Sequence, residues 1–240
     1  MKKFRFLSIF SALLLIAAAC SDTDKNMILD LEPDVMVPDT TLAQPEEKKE
    51  ETKPADNKKR IYLTIDDAPL KGCEYIDSIV SAEKIKTNIF MVGNGIDGSQ
   101  RFKKYYEAMA ENNYIEIYNH SYSHANNRYA KYYKTPETVL EDFEKNQNDF
   151  NISHKIARLP GRNLWHIGDK KKNYKQSGAT SAELLAENGY KVFGWDVEWM
   201  YDAKDYSPKQ TIDELIEEIE KLNNSSRTFA KNQVVLLTHV

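Results

Sequence analysis

From residue 60 onward, short β-rich runs alternate with longer stretches of helical periodicity. Strands are predicted over residues 61–65, 87–92, 115–118, 155–159, 191–196 and 234–238. Between them, helices are predicted near residues 74–84, 100–112, 136–149, 179–188 and 208–223. A strand followed by a helix, repeated along the chain, is typical of a parallel sheet with helices packed outside it. The sequence therefore predicts an α/β fold with a parallel sheet and helices outside it.

The first 20 residues have the pattern of a targeting segment and are not expected to belong to the fold. Residues 1–5 are basic, and residues 6–19 form an almost unbroken apolar run that ends in small residues. This build is typical of a secretory signal and is too short for a membrane span. The end of the run, LIAAAC at 15–20, resembles the lipobox of bacterial lipoproteins. That resemblance implies that Cys20 is lipidated; ordinary signal cleavage or an uncleaved anchor are the alternatives.

Residues 21–59 are predicted to form a disordered, charged tether. The segment has mixed charge, scattered proline and few aromatic residues, so it cannot bury enough apolar surface to offset the entropy of ordering. Together with a lipid on Cys20, it predicts an exported protein anchored to a bacterial membrane in the cell envelope. The net charge of −4 gives no basic surface for nucleic acid. We expect a monomer.

Cys73 is the one cysteine that remains if Cys20 carries lipid. A single remaining cysteine offers no internal disulfide. No histidine lies near it in the sequence, so we expect a small buried hydrophobic residue and not a nucleophile.

Polar side chains with catalytic chemistry lie at the C-terminal ends of five predicted strands. They are Asp66 and Asp67, His120 and His124, Arg158, Asp196, and His239. In a parallel barrel, these strand ends meet on one face, and active sites are built there. The sequence therefore predicts an active site on this face.

Two residue pairs suggest a divalent metal site. His120 and His124 are four residues apart, which brings both rings to one side if a helical turn starts there. Asp66 and Asp67 are adjacent, and successive strand side chains point in different directions. Imidazole and carboxylate are typical zinc ligands, so one aspartate could bind metal while the other acts as base. Each pair alone fits a polar turn, but together they predict a metal-dependent hydrolase.

Four segments resemble, in the correct order, the motifs of polysaccharide deacetylases, carbohydrate esterase family four. Residues 64–69 (TIDDAP) resemble Thr-Phe-Asp-Asp-Gly-Pro, and residues 120–124 (HSYSH) match His-Ser/Thr-x-x-His. Residues 158–161 (RLPG) resemble the third motif, and residues 237–239 (LTH) the fifth. The resemblance covers roughly residues 60–240 and implies that this region is the catalytic domain.

The resemblance also implies a role for each matching residue. Asp66 would be the general base, oriented by Arg158, and His239 would be the general acid. Asp67, His120 and His124 would hold a divalent metal, usually zinc. The backbone N–H of Gly161 would help to stabilise the oxyanion.

This chain departs from the family pattern at several positions. Ala68 replaces a glycine after the aspartates, and Arg162 replaces a glycine where a long side chain could narrow or recharge the groove. The fourth motif reads WDVEW at 195–199, with Asp196 and Trp199 as its expected substrate-contacting members. The sequence ends at Val240, where family members usually continue into a final helix. We therefore expect a distorted barrel of about seven strands without that helix.

The predicted activity is metal-dependent removal of N-acetyl groups from an extracytoplasmic polysaccharide. Peptidoglycan or another acetylated amino-sugar glycan would be the substrate. Two alternatives remain open at this point. One is an O-acetyl esterase acting on a xylan-like polysaccharide, and the other is a catalytically weak lipoprotein that binds glycan.

Overall fold

The computed structural model describes residues 58–240. The predicted signal segment with Cys20, and all but the last two residues of the predicted tether, lie outside the described residues. No helix within residues 58–240 combines the length and the apolar character that a membrane span requires.

One mixed sheet of nine strands organises the described part of the chain. The strands are β1 (Arg60–Ala68), β2 (Thr87–Met91), β3 (Ile115–Asn119), β4 (Ile156–Ala157), β5 (Trp165–Ile167), β6 (Lys170–Lys172), β7 (Lys191–Val192), β8 (Val197–Glu198) and β9 (Gln233–His239). Their spatial order is β6-β5-β7-β4-β3-β2-β1-β9-β8. All neighbours from β7 through to β8 in that order pair in parallel, which makes seven parallel strands. The predicted α/β barrel of about seven strands is confirmed.

Helices connect the strands, as the periodicity predicts. They are α1 (Cys73–Glu83), α2 (Gly93–Gly98), α3 (Gln100–Glu111), α4 (Tyr129–Tyr132), α5 (Pro136–Asp149), α6 (Ala179–Glu187) and α7 (Ile212–Asn223), with a 3-10 turn at His124–Asn127. The start predicted for the last helix, residue 208, is wrong by four residues. Thr211 caps α7 instead, because its hydroxyl accepts from the Glu214 N–H while the Glu214 side chain accepts from the Thr211 N–H.

An antiparallel hairpin, β5–β6, extends the sheet where the sequence predicted no strand. Its six residues are too few for a periodic signal, and three of them are consecutive lysines. The Lys172 ammonium reaches the Arg227 carbonyl at 2.8 Å and the Asp196 carboxylate at 3.5 Å, next to edge strand β8. Trp165 stacks on Phe229 with ring centroids 4.4 Å apart. These contacts link the β5–β6 hairpin to the segments that precede β8 and β9.

The hydrophobic core lies between the outer face of the sheet and the helices. One cluster joins β1 and β2 to α1 and α3, and it includes Ile65, Cys73, Val80, Ile89 and Met109. A second cluster holds α5 and α6 on the sheet, and a third packs α7 against β8 and β9. Cys73 is a buried free thiol, as expected. The rigid sheet fixes the strand ends on which the candidate site is built.

Candidate metal centre and catalytic site

A β-bulge at the end of β1 brings the two adjacent aspartates to the same place. The register with β2 shifts between Asp66 and Ala68, and Asp67 has a left-handed backbone with φ of 70°. As a result, Asp66 Oδ2 lies 3.6 Å and Asp67 Oδ1 lies 3.5 Å from His120 Nε2. The expectation that the two carboxylates diverge is wrong because the bulge interrupts the alternation of side chains. Aspartate tolerates the left-handed backbone conformation, and Asp67 is the residue that adopts it here. Ala68 does not adopt it and therefore does not need to be a glycine.

The two histidines meet through an irregular loop, which we call the histidine loop (residues 120–124). Ser121 and His124 have φ values of 65° and 49°, and the 3-10 turn begins only at His124. No helical turn therefore starts at His120, the condition under which the four-residue spacing alone would bring both rings to one side. The ring centroids nevertheless lie 5.1 Å apart.

Asp67, His120 and His124 form a candidate metal-binding triad. One ligand atom from each lies within 4.8 Å of the others, and Asp67 Oδ1 is 3.1 Å from His124 Nε2. His120 Nδ1 lies 2.8 Å from the Arg158 carbonyl, an acceptor, which places the proton on Nδ1 and leaves the Nε2 lone pair facing Asp67. When both Nε2 atoms are unprotonated, the buried Asp67 Oδ1 has no donor among residues 58–240. Carboxylate and imidazole donors that converge in this way fit a divalent cation.

The protonation of the triad follows from burial and from the charges around it. Burial alone would raise the pKa of Asp67, but the hydrogen bond from His124 and the interaction with the surrounding imidazoles in their protonated form lower it to about 2. Burial lowers the pKa of His120, against the opposing effect of Asp66 and Asp67. His120 is therefore a neutral ring, which is the form that can bind a metal.

Arg158 fixes the second aspartate beside the triad. Its guanidinium is fully buried and donates to Asp66 Oδ1 at 2.8 Å, to Thr64 Oγ1 at 3.0 Å and to the Gly194 carbonyl at 2.9 Å. It also lies over the Phe90 ring, 4.1 Å from the centroid. Burial lowers the pKa of Arg158, and the charge of Asp66 opposes that shift. Asp66 thus has one oxygen held by Arg158 and the other directed toward His120.

His239 lies opposite Asp66 on the neighbouring strand. The two residues are register partners in the parallel β1–β9 pair. The His239 side chain is 39% exposed, which gives a substrate access to it. Its Nδ1 lies 3.9 Å from Glu198 Oε1. Glu198 is a site residue that the sequence analysis missed.

The structure does not bring Asp196 to the triad, and the substrate contact predicted for it has no geometric support. Its carboxylate is 2% exposed and accepts from the backbone N–H groups of Phe229 and Val235, both at 3.1 Å. Val235 lies four residues before His239 on β9, roughly 13 Å along the strand. Asp196 and Glu198 are two residues apart and share a face, and Glu198 is the one nearer to the functional strand ends. That position was the signal that could have identified it.

Trp199 is partly buried against the core and does not line the cleft that contains Asp67 and His124. It lies against the cluster of α7 with β8 and β9, and its indole N–H donates to the Gln210 carbonyl at 3.3 Å. The predicted substrate contact of Trp199 therefore has no geometric support.

Gly161 presents a backbone donor beside Tyr129, whose ring lies edge-on to His124 with ring centroids 5.8 Å apart. Its φ is 63°, and an added Cβ would lie 3.2 Å from the Tyr129 ring, so glycine suits this position. Within residues 58–240, no acceptor takes up the Gly161 N–H. Arg162 does not enter the groove, because its guanidinium donates to Ser177 at 3.0 Å and to the Gly161 carbonyl at 2.7 Å.

A cleft of about 420 Å³ adjoins the triad. Asp67 and His124 line it, together with amide side chains of Asn94, Asn126 and Asn127. A larger cavity of about 830 Å³ lies inside the barrel near the N-terminal strand ends, lined by residues such as Tyr62, Trp165 and Phe229. None of the three triad residues lines the larger cavity, so we assign the site to the cleft.

The fold and the site define a parallel α/β barrel with an Asp-His-His donor set at the carboxyl ends of its strands. Residues 53–159 match the family model of the polysaccharide deacetylases. The chain therefore contains a region that matches the polysaccharide deacetylase family. The matched region contains the triad, Asp66 and Arg158, whereas Gly161, Glu198 and His239 follow it in the sequence.

Among curated proteins, the chain is similar to a chitin disaccharide deacetylase of Vibrio alginolyticus. The two are 23% identical over 209 residues, and the similarity covers 60% of this chain. It covers 48% of the relative, so the chain spans about half the length of that protein.

Solved structures show the same fold. A CE4 esterase of Streptococcus mutans is 17% identical with a TM-score of 0.54 and covers 76% of this chain and 74% of its own. A family 4 carbohydrate esterase of Streptomyces lividans, in complex with acetate, is 17% identical with a TM-score of 0.52, over 75% and 79% of the two chains. The catalytic domain of a peptidoglycan N-acetylglucosamine deacetylase of Eubacterium rectale is 20% identical with a TM-score of 0.51, over 77% and 80%.

Proposed function

We propose that this protein is a divalent-metal-dependent deacetylase that removes N-acetyl groups from an amino-sugar polysaccharide outside the cytoplasm. The observation that carries the proposal is the convergence of Asp67, His120 and His124 within 4.8 Å, beside an Asp66 carboxylate held by Arg158. Zinc is the metal we propose, because two imidazoles and one carboxylate that leave coordination positions open are a typical catalytic zinc set.

The chain's own residues supply the proton transfers that amide hydrolysis needs. A divalent metal bound by Asp67, His120 and His124 would polarise the acyl carbonyl and favour ionisation of water. Asp66 would accept a proton from the attacking water, and the proposal is supported by Arg158, which holds one of its oxygens and leaves the other beside the triad. His239, the register partner of Asp66 on the adjacent strand, would protonate the departing amine. General acid and base groups of this kind each typically contribute about 10²–10⁴-fold in rate.

Gly161 would stabilise the negative charge that develops on the acyl oxygen. Its N–H has no acceptor within the described residues, so it can donate to that oxygen without breaking an existing hydrogen bond. A preorganised donor of this type is typically worth about 3–4 kcal/mol in the transition state.

The substrate class is inferred from the cleft and from the relatives. Amide side chains donate and accept hydrogen bonds, and three of them line the cleft beside Asp67 and His124, which suits the hydroxyl and acetamido groups of an amino sugar. The similar proteins named above include deacetylases of a chitin disaccharide and of peptidoglycan N-acetylglucosamine. Peptidoglycan, or another acetylated amino-sugar glycan, is therefore the proposed substrate.

The cellular location is proposed from the sequence of the N-terminal segment. The basic start, the apolar run and the small residues before Cys20 support export and lipidation at that cysteine. We propose a monomer held at a bacterial membrane by this lipid, with residues 21–59 as a tether between the anchor and the catalytic domain.

Acetate release from a panel of acetylated glycans tests the proposal. The purified protein should release acetate from peptidoglycan fragments or chito-oligosaccharides, lose this activity with a chelator and regain it with zinc. Asp66→Asn should bind zinc but release acetate at least 100-fold more slowly. Release from O-acetylated xylan alone would favour the esterase alternative. Glycan binding without acetate release would favour a catalytically weak binding protein.

A further inference from the structure

Helix α5 is hydrogen-bonded to the histidine loop. All five N–H groups of the loop are hydrogen-bonded: His120 to the Met91 carbonyl, Ser121 to Asn119 Oδ1, Tyr122 to the Asp142 carbonyl, Ser123 to the Asp142 carboxylate and His124 to Ser121 Oγ. Asp142, on α5, accepts two of these five bonds, one through its backbone and one through its side chain. The loop between the two histidines is thus attached to this helix residue.

The Asp142 carboxylate accepts hydrogen bonds from three donors that belong to two segments. It accepts the Ser123 N–H at 3.1 Å, the Ser123 hydroxyl at 2.9 Å and the Tyr132 hydroxyl at 2.8 Å. Burial and the charge of Asp142 raise the pKa of Tyr132, so this hydroxyl keeps its proton and donates it. An ionised carboxylate only accepts hydrogen bonds, and it therefore suits a position that faces three donors.

The backbone of the histidine loop needs such support. Ser121 and His124 both lie in the left-handed region, which is unfavourable for residues other than glycine. A backbone of this kind persists only where the surrounding contacts hold it. If Ser123 were released from α5, the loop could relax and carry His124 away from Asp67, now 3.1 Å from it.

We propose that Asp142 is a positioning residue that holds the histidine loop in its metal-binding geometry, with Ser123 and Tyr132 as partners. The inference rests on the metal site of the proposed function. It adds a residue outside the triad that acts on metal affinity without touching the ion.

Zinc affinity, measured by competition with a chromophoric chelator on the full chain, tests the inference. Asp142→Asn replaces a group that only accepts hydrogen bonds by an amide whose NH₂ must face one of the donors. The histidine loop should then be held less firmly, and zinc should bind about 10–100-fold more weakly. Glu141→Gln is the matched control, because Glu141 is the exposed neighbour on the same helix and loses the same charge. At saturating zinc, acetate release by Asp142→Asn should recover to within about threefold of wild type, as expected for a residue that sets the metal affinity and not the chemical step.

Ser123→Ala and Tyr132→Phe remove single partners and provide a second test if Asp142→Asn folds poorly. Each should weaken zinc binding by a smaller factor, and Asp142→Asn combined with Ser123→Ala should lose little more than Asp142→Asn alone. Wild-type zinc affinity in Asp142→Asn would overturn this inference and leave the proposed function standing. A loss of zinc affinity matched by an equal loss of zinc-free thermal stability in all variants would reduce Asp142 to a folding role and overturn it as well. A wild-type protein that binds no zinc would overturn both proposals.

Discussion

The Arg158 guanidinium lies 2.8 Å from the Asp66 carboxylate, and both side chains are almost completely excluded from solvent. Removing one member of a buried ion pair leaves an uncompensated charge, which typically costs about 3–5 kcal/mol. We expect Arg158→Met to lower the free energy of unfolding by about this amount, measured by urea denaturation. The double variant Arg158→Met/Asp66→Asn should recover part of the loss. A double variant less stable than Arg158→Met would contradict the pairing.

His239 should matter more for amides than for esters. An amine is a poor leaving group without a proton, whereas an alkoxide leaves more readily, so His239→Ala should reduce deacetylation of N-acetyl substrates by about 10²–10⁴-fold and of O-acetyl substrates by less. His166→Ala is the control, because His166 lies on the β5–β6 hairpin and not at the site. Rates on matched N-acetyl and O-acetyl sugars give the comparison. An equal loss on both would argue against the acid role.

Cys73 should be a poor nucleophile in the native protein. Burial raises the pKa of the Cys73 thiol to about 11, since its effect outweighs the hydrogen bond from the Leu70 N–H, and the nearby Glu74 raises it further. Below that pH the thiol stays protonated, and only the thiolate reacts. In a Cys20→Ser background at pH 8, Cys73 should be alkylated at least about 100-fold more slowly in the native protein than in the denatured protein. The rate for native protein should rise as the pH approaches 11. Rapid native labelling at pH 8 would show that the thiol is accessible and ionised.

The start of α7 makes a defined contribution to stability. Thr211 and Glu214 form a capping box, and loss of an N-cap oxygen typically costs about 1 kcal/mol. We expect Thr211→Ala to lower the free energy of unfolding by that amount, while Thr211→Ser, which keeps the oxygen, should change it little. If both variants lost the same stability, the cap would not be the cause.

The parts of the fold that could be predicted from the sequence are those with long periodic signals. β1, β2, β3 and β9 are strands of five or more residues in which apolar side chains recur, and α7 carries Leu215, Ile219 and Leu222 on its buried side. The β5–β6 hairpin could not be predicted in this way, because three-residue strands take their structure from pairing with the existing sheet edge. The strand predicted over 191–196 is likewise shorter in the structure. β7 covers only Lys191–Val192, and the next strand, β8, begins at Val197.

For the candidate site, residue identity could be predicted but local geometry could not. The positions of Asp67, His120 and His124 at strand ends were enough to place them on one face. The bulge at Asp67 and the left-handed backbone at Ser121 depend on tertiary contacts, such as those from α5, that no local pattern encodes. Glu198 was missed in favour of Asp196 because a two-residue strand gives no register from sequence alone.

The most direct test of this account is the zinc stoichiometry of the purified protein and of its ligand variants. Elemental analysis after equilibrium dialysis should give about one zinc per wild-type chain, and His120→Ala and His124→Ala should each lower the affinity at least 100-fold. His154→Ala, which changes a histidine outside the triad, should bind zinc like wild type. Unchanged zinc binding after loss of His120 or His124 would contradict the metal centre and, with it, the proposed reaction.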